Sequence, residues 1–535
     1  MNATANPEHR RLFDLSSEEE TGLNESERIL GRLCRRSFLR LWVQSNVFSD
    51  EGLRDGKGHG VELCDALLVF GDDVVIFSDK EVAFQEGKEL KIAWGRWYRR
   101  AVQDSVRQLH GAKHWLQRFP AKAFRDARCT RPLPAPVPNH EFVRFHLVAV
   151  TRGCRDAALA FAEGKGRGSL GLDSQIAGNQ HLDHPFVLGQ PEPCKQFVHV
   201  FDEVSIDLVL TELDTAVDFI DYLRKREALL GRPGTQVMSG GEEDLLATYL
   251  TTMTDDESEH TFVQGAKGGE LPDTMFVMPG IYESLERSAP YLRRKAADRV
   301  SYVWDDLIER ILRHGTHGLA PGMPEHTPPE LERGIRLLAS ESRFRRRQLG
   351  ASIEAMTEKI RPGDSITRLF NSGVEEENVY ILSIQAKRQD ESLAQYRTFR
   401  QQKLFAQVRT AKLLAPTGKR FVGIVFDSPY KDYAGFSEDL IALEQNAWSK
   451  EELAELRRMR RDLNLWAGHR MDYSRFDQFE FPTAEQQHPF SPVRAPAGSG
   501  RAGAPTSLRQ PANAKDASEK RRRKMRKSSQ RKNRR

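Results

Sequence analysis

The chain has 535 residues, of which 39% are hydrophobic, 29% charged and 9% aromatic, with a formal net charge of +5. It is too long for one ordinary domain and too apolar for a disordered chain, so two or three folded units are expected. No apolar run approaches the ~20 residues that span a bilayer, and the first twenty residues lack the apolar core of a secretory signal, which points to a soluble, cytoplasmic protein with no membrane partner.

Residues 1–23 are polar and are expected to be disordered. Leu30, Leu33, Cys34, Phe38, Leu41 and Trp42 then recur at helical spacing and predict a helix over 24–43. A Gly/Asp/Lys-rich loop over 50–60 leads into two β-rich stretches, 62–70 and 74–80, separated by Gly71, Asp72 and Asp73; this is a hairpin signal. A long amphipathic helix is expected over 94–116, a strand over 143–151, and a strand or turn feeding a helix over 201–223. The Gly/Pro-rich stretch 231–241 reads as a domain boundary. Beyond it, the order strand (379–387), helix (392–414), strand (421–427) predicts a βαβ-type layer, and a last helix covers 449–466. The fold class is therefore α/β. A mixed sheet flanked by helices occupies 24–232, a second α+β domain 240–480, and a disordered linker with a basic tail 485–535.

The net charge divides unevenly. Residues 519–535 hold eleven Lys or Arg and one acid, while the remaining 518 residues hold 70 basic and 75 acidic groups. A mildly acidic body ends in a cationic tail that includes Lys520, Arg521, Arg522, Arg523, Lys524, Arg526 and Lys527. Such a tail attracts polyanions, nucleic acid foremost, or serves only solubility. Cys34, Cys64, Cys129, Cys154 and Cys194 are odd in number with no CxxC pair, which excludes a disulfide framework or a paired-thiolate zinc site.

The hairpin carries the chemistry. A two-residue Gly71-Asp72 loop pairs Phe70 with Asp73 and sets Asp65 opposite Ser78, diagonal to Lys80; moving the loop to Asp72-Asp73 sets Asp65 opposite Lys80. Either register gathers Asp65, Ser78 and Lys80 on one face, whereas a three-residue loop would bring Asp79 there instead. Phosphodiester hydrolysis needs a hard carboxylate such as Asp65 to hold a divalent cation. A nearby lysine orients or deprotonates the attacking water and stabilises charge in the transition state. On the following helix Arg96, Arg99, Arg100, Gln103 and Arg107 form one polar, mostly basic stripe opposite Trp94, Tyr98, Ala101 and Ala112, suited to a phosphate backbone, with Gln108 beside it as a further substrate contact.

A glutamate-bearing helix, ELxD on a strand, a short turn, an apolar strand ending in Lys and a following helix resemble the PD-(D/E)XK restriction-endonuclease-like nucleases over roughly residues 24–120. The chain also resembles uncharacterised bacterial proteins with a nuclease-related N-terminal domain. The resemblance implies Asp65 as the metal-binding aspartate, Lys80 as the catalytic lysine, and Mg²⁺ or Mn²⁺ as cofactor. It also implies DNA as substrate, in restriction or phage defence. Ser78 stands where the family usually has its second acid, and Glu62 or Glu27 are candidates for a relocated one. Set against this, Asp65 and Lys80 also suit an ordinary cross-strand ion pair, Asn24 and Glu27 a capping box, Glu62 a solvated loop acid, and the arginine stripe a solvated face. A non-catalytic nucleic-acid-binding or scaffold protein with a decayed core is the rival reading.

Three other motifs carry less. Gln385-Ala386-Lys387 resembles the QxK variant of Mrr-type nucleases, with no aspartate recognised at hairpin distance, and reads as a structural strand. His181, Asp183 and His184 share no helix face, and the glycine run 164–171 lacks the order of a P-loop.

Overall fold

The computed structural model describes residues 24–254, 259–263, 273–314, 327–371, 377–435, 437–466 and 479–482. The expectations for 1–23 and for the basic tail lie outside these residues.

Asn24 caps the first helix, Glu25–Phe38: its side chain accepts from the Glu27 N–H at 2.9 Å and donates to Glu27 Oε1 at 2.6 Å. The helix stops earlier than its periodicity predicts. Leu39 adopts a φ of 62°, and the chain turns into a strand, β1 (Val43–Ser49). Leu41 and Trp42 keep helical spacing yet are buried in the turn, so apolar spacing alone overran the helix end.

The first sheet has the order β1-β2-β3-β4-β7, with β2 at Val61–Phe70, β3 at Asp73–Glu81, β4 at Arg144–Arg152 and β7 at Val198–Asp202. β1, β2 and β3 are antiparallel neighbours, and β3, β4 and β7 are parallel, so the sheet is mixed. Phe70 pairs with Asp73 across a two-residue Gly71-Asp72 loop, and Gly71 has the positive φ, 62°, that such a tight turn requires. The crossover from β3 to β4 begins at Leu90, four residues earlier than expected. It runs as helix Leu90–Tyr98, a π turn Arg99–Gln103 and helix Asp104–Arg118.

Helix Ala216–Leu230 and the first helix pack on the opposite face, where Phe38, Phe77 and Phe219 stack.

A second sheet follows the order β6-β5-β8-β9: β5 (Gly171–Ala177), β6 (Val187–Gln190), β8 (Gln236–Ser239) and β9 (Thr274–Val277). The segment 231–241, read as a boundary, holds β8, which pairs with both β5 and β9. The third sheet, β10-β11-β12-β13, uses β10 (Ile366–Asn371), β11 (Asn378–Gln385), β12 (Arg420–Asp427) and β13 (Asp439–Glu444). Its β11 and β12 are parallel and are joined by helix Leu393–Thr410. β11 is buried along its whole length, with Tyr380, Leu382 and Ile384 on one face and Val379 and Ile381 on the other, the near-continuous apolar run of a strand covered on both sides. One apolar core continues from Leu30 to Ile424, so the sheets share an interior within one compact unit. The protein is thus α/β with several mixed sheets, and no helix among the described residues is long and apolar enough to cross a membrane.

Candidate active site

The β2–β3 ladder, continued one pair beyond Ala66–Phe77, sets Asp65 opposite Ser78. The Asp79 N–H donates to Asp65 Oδ2 at 2.6 Å, which pins one carboxylate oxygen to the neighbouring strand. Asp65 is buried, with 7% of its surface exposed. Burial pushes its carboxyl up to about 7; Glu62 and Asp79 add to this, while the Asp79 N–H and Lys80 oppose it. Burial also raises Glu62, with Glu27 adding to the rise and Lys80 opposing it. Four carboxylates (Glu27, Glu62, Asp65 and Asp79) therefore gather at the mouth of the hairpin with Lys80 in electrostatic reach of two of them.

The members differ in how they are engaged. Glu62 Oε1 is buried without a hydrogen-bond partner, so a solvated loop acid is not what the structure contains. Glu27 closes the helix cap, and its carboxylate is committed to Asn24. No hydrogen bond or ion pair ties Lys80 to Asp65 among the described residues. Lys80 is half-buried, and its ammonium is free of a direct cross-strand bridge.

Ser78 is fully buried and donates to Gln108 Oε1 at 3.0 Å. Gln108 therefore leaves the helix surface and reaches down onto the strand beside Asp65. Arg96, Arg99, Arg100 and Arg107 remain exposed, and the expected opposite face, Trp94, Tyr98, Ala101 and Ala112, is buried. Arg107 pairs with Asp104, and Arg96 donates to Gln85 at 2.9 Å. The π turn inserts an extra residue between the two halves of this stripe, so it does not continue on one α-helical face.

From the sequence, only a three-residue loop would bring Asp79 to the Asp65 face, and no signal points to Arg152. The two-residue loop turns Asp79 away from Ser78, and Arg152 Nε of β4 reaches its oxygens at 3.0 and 3.2 Å. Burial raises Asp79 to about 6, the Arg152 charge opposing it. Arg152 lies 73 residues from Asp79 in sequence, and the only local signal for Asp79 was its place in the Ser-Asp-Lys triplet.

Asp65 and Glu62 fit a hard divalent cation as donors, because Asp65 is buried, Glu62 is half-buried, burial disfavours the charge of both, and Glu62 offers an orphaned oxygen. Glu27, held in its cap, does not fit. Among the described residues, three donors within 4.8 Å of one another occur elsewhere, at His146, His199 and Glu227. There Asp73 holds His146 Nε2, and Arg226 donates to His199 Nδ1 at 3.2 Å. A guanidinium only donates, so neutral His199 carries its proton on Nε2 and presents no lone pair on that side. Arg144 and Arg224 also bind Asp73, so Asp73 and Arg226 each anchor one nitrogen of these histidines structurally, while His146 Nδ1 and His199 Nε2 have no hydrogen-bond partner. His181 is likewise structural: Gly178 O lies 2.8 Å from its Nδ1, and its Nε2 accepts from the Gly189 N–H.

No family model, curated protein or solved structure matches the chain.

Proposed function

We propose that the protein is a Mg²⁺-dependent nuclease of the restriction-endonuclease-like kind that hydrolyses DNA phosphodiesters, with the β2–β3 hairpin as its active centre. The observation that carries this reading is Asp65: a buried carboxylate raised to about 7, across from Ser78 and electrostatically coupled to Lys80 and to Glu62, whose Oε1 has no hydrogen-bond partner. Asp65 and Glu62 would hold the cation, and Mg²⁺ would supply neutralisation of charge developing on the phosphate. Lys80 orients the attacking water or stabilises that charge, and Gln108, fixed by Ser78, lines the approach to Asp65. The exposed Arg96, Arg99 and Arg100 hold the backbone of the same strand.

A second reading, a nucleic-acid-binding protein whose core no longer cleaves, is favoured by one observation. Ser78 occupies the second-acid slot and spends its hydroxyl on Gln108. Incubation of supercoiled and linear DNA with wild type and Asp65→Asn, in Mg²⁺ and in EDTA, separates the two. Cleavage that needs both Asp65 and the cation supports the nuclease; binding without cleavage by wild type supports the second reading.

A further inference from the structure

We infer that the third sheet carries a metal-independent site for a phosphodiester of the nucleic-acid backbone, formed by Lys387, Lys403 and Gln385. The inference rests on the nucleic-acid reading above but not on cleavage.

The third sheet repeats the layout of the first. In both, an antiparallel pair (β2–β3, β10–β11) is followed by a crossover helix and a strand parallel to the second member of the pair (β4, β12). The side chains between strand pair and helix follow the same plan. In the first sheet, the ladder continued past Ala66–Phe77 brings Asp65 across from Ser78, and Gln108 comes down from the helix onto Ser78. In the third, Thr367 pairs with Ser383, their hydroxyls 2.9 Å apart, and Gln407 donates from the helix to Thr367 Oγ1 at 3.0 Å. Two pairs beyond Thr367–Ser383, the register continued past Ile366–Ile384 sets Ser365 opposite Gln385, the places of Asp65 and Ser78. Lys403 donates from the helix to Gln385 Oε1 at 2.7 Å, where Gln108 meets Ser78 in the first sheet.

The difference is charge. Where the first sheet has Asp65, this one has Ser365, so no carboxylate on that strand can hold a divalent cation. Asp427, across from Gln385 on β12, is occupied by Tyr396, Arg400 and the Ser437 N–H, and Arg400 also takes Asp439. Lys403 is left with a neutral amide as its bonding partner, and burial lowers its pKa with no acid to offset the cost. Lys387, two residues beyond Gln385, gives its ammonium to a main-chain oxygen, Arg388 O, at 2.8 Å. Two half-exposed lysines without acidic partners thus stand at the end of β11, Lys403 on the Gln385 amide oxygen and Lys387 two residues further along the chain. A phosphate oxygen would supply the missing negative charge and accept from both ammonium groups and from the Gln385 amide.

The test is fluorescence anisotropy of a duplex DNA oligonucleotide with the full chain in EDTA across a salt series, so that cleavage plays no part. Lys387→Ala and Lys403→Gln are each expected to weaken binding ~3- to 10-fold and to lower the salt slope by about one, as for one lost phosphate contact. Lys403→Arg is expected to keep wild-type binding. Thermal melts identify a variant that has merely unfolded, and the half-exposed Lys387→Ala keeps the test valid if Lys403→Gln does. Wild-type affinity and slope in folded Lys387→Ala overturn the inference. Absence of cleavage by wild type in Mg²⁺ would refute the nuclease reading alone.

Discussion

Replacing Asp65 by asparagine should stabilise the protein, increasingly so as pH rises. The carboxyl is moved from an ordinary 3.8 to about 7 by burial, which disfavours its ionised form by roughly 4 kcal/mol at ~1.4 kcal/mol per pH unit. The folded state therefore holds a proton that the unfolded state has lost, and stability falls as pH climbs from the unfolded value toward 7 and levels off above it. At pH 5 only about 1–2 kcal/mol of that penalty is present, and at pH 8 nearly all of it. Asparagine keeps an oxygen to accept from the Asp79 N–H and carries no charge to bury. Urea denaturation of wild type and Asp65→Asn at pH 5 and pH 8 should show the variant's advantage growing by about 2–3 kcal/mol. Mg²⁺, which binds the ionised carboxylate, should raise wild-type stability at pH 8 and leave Asp65→Asn unmoved. A variant no more stable than wild type at pH 8, or an advantage that does not grow with pH, would refute the claim that Asp65 is held against its charge.

Gly71→Ala should destabilise by about 1–2 kcal/mol, because Gly71 sits at a φ of 62°; a urea midpoint equal to wild type would contradict the turn assignment. Arg226→Ala should cost about 3–5 kcal/mol, since it leaves Glu242, which Arg226 grips through both oxygens, as a buried unpaired charge; the same denaturation measures it. On the proposed nucleic-acid reading, deletion of 519–535 should weaken DNA binding and flatten its salt dependence while the melting temperature stays unchanged, because eleven cations would act by counterion release. Identical binding curves would assign the tail to another task.

The hairpin was legible because three local signals agree: period-two alternation, a glycine at the turn, and a loop short enough to leave few registers. That is why the sequence alone sets Asp65, Ser78 and Lys80 on one face and, with a two-residue loop, leaves Asp79 off it. β1 was hidden because Leu41 and Trp42 prolong the helical rhythm past Leu39, where the backbone turns. The second sheet was hidden because its strands are four to seven residues long and lie in Gly-rich, unpatterned segments, two of them paired with strands far away in sequence. Arg152 on Asp79, Gln108 on Ser78 and Lys403 on Gln385 are tertiary contacts, and no local pattern encodes them. Ser365, the counterpart of Asp65, could be recognised only once the β10–β11 register was known.

The most direct test of the central claim is the initial rate of Mg²⁺-dependent DNA cleavage by wild type and Lys80→Ala, with DNA binding measured on the same samples in EDTA. The account predicts that wild type cleaves and that Lys80→Ala lowers the rate ~10²-fold or more, as for a lost acid–base or charge-stabilising group, while binding changes little. Cleavage that survives the substitution unchanged, or a loss explained wholly by weaker binding, would contradict it.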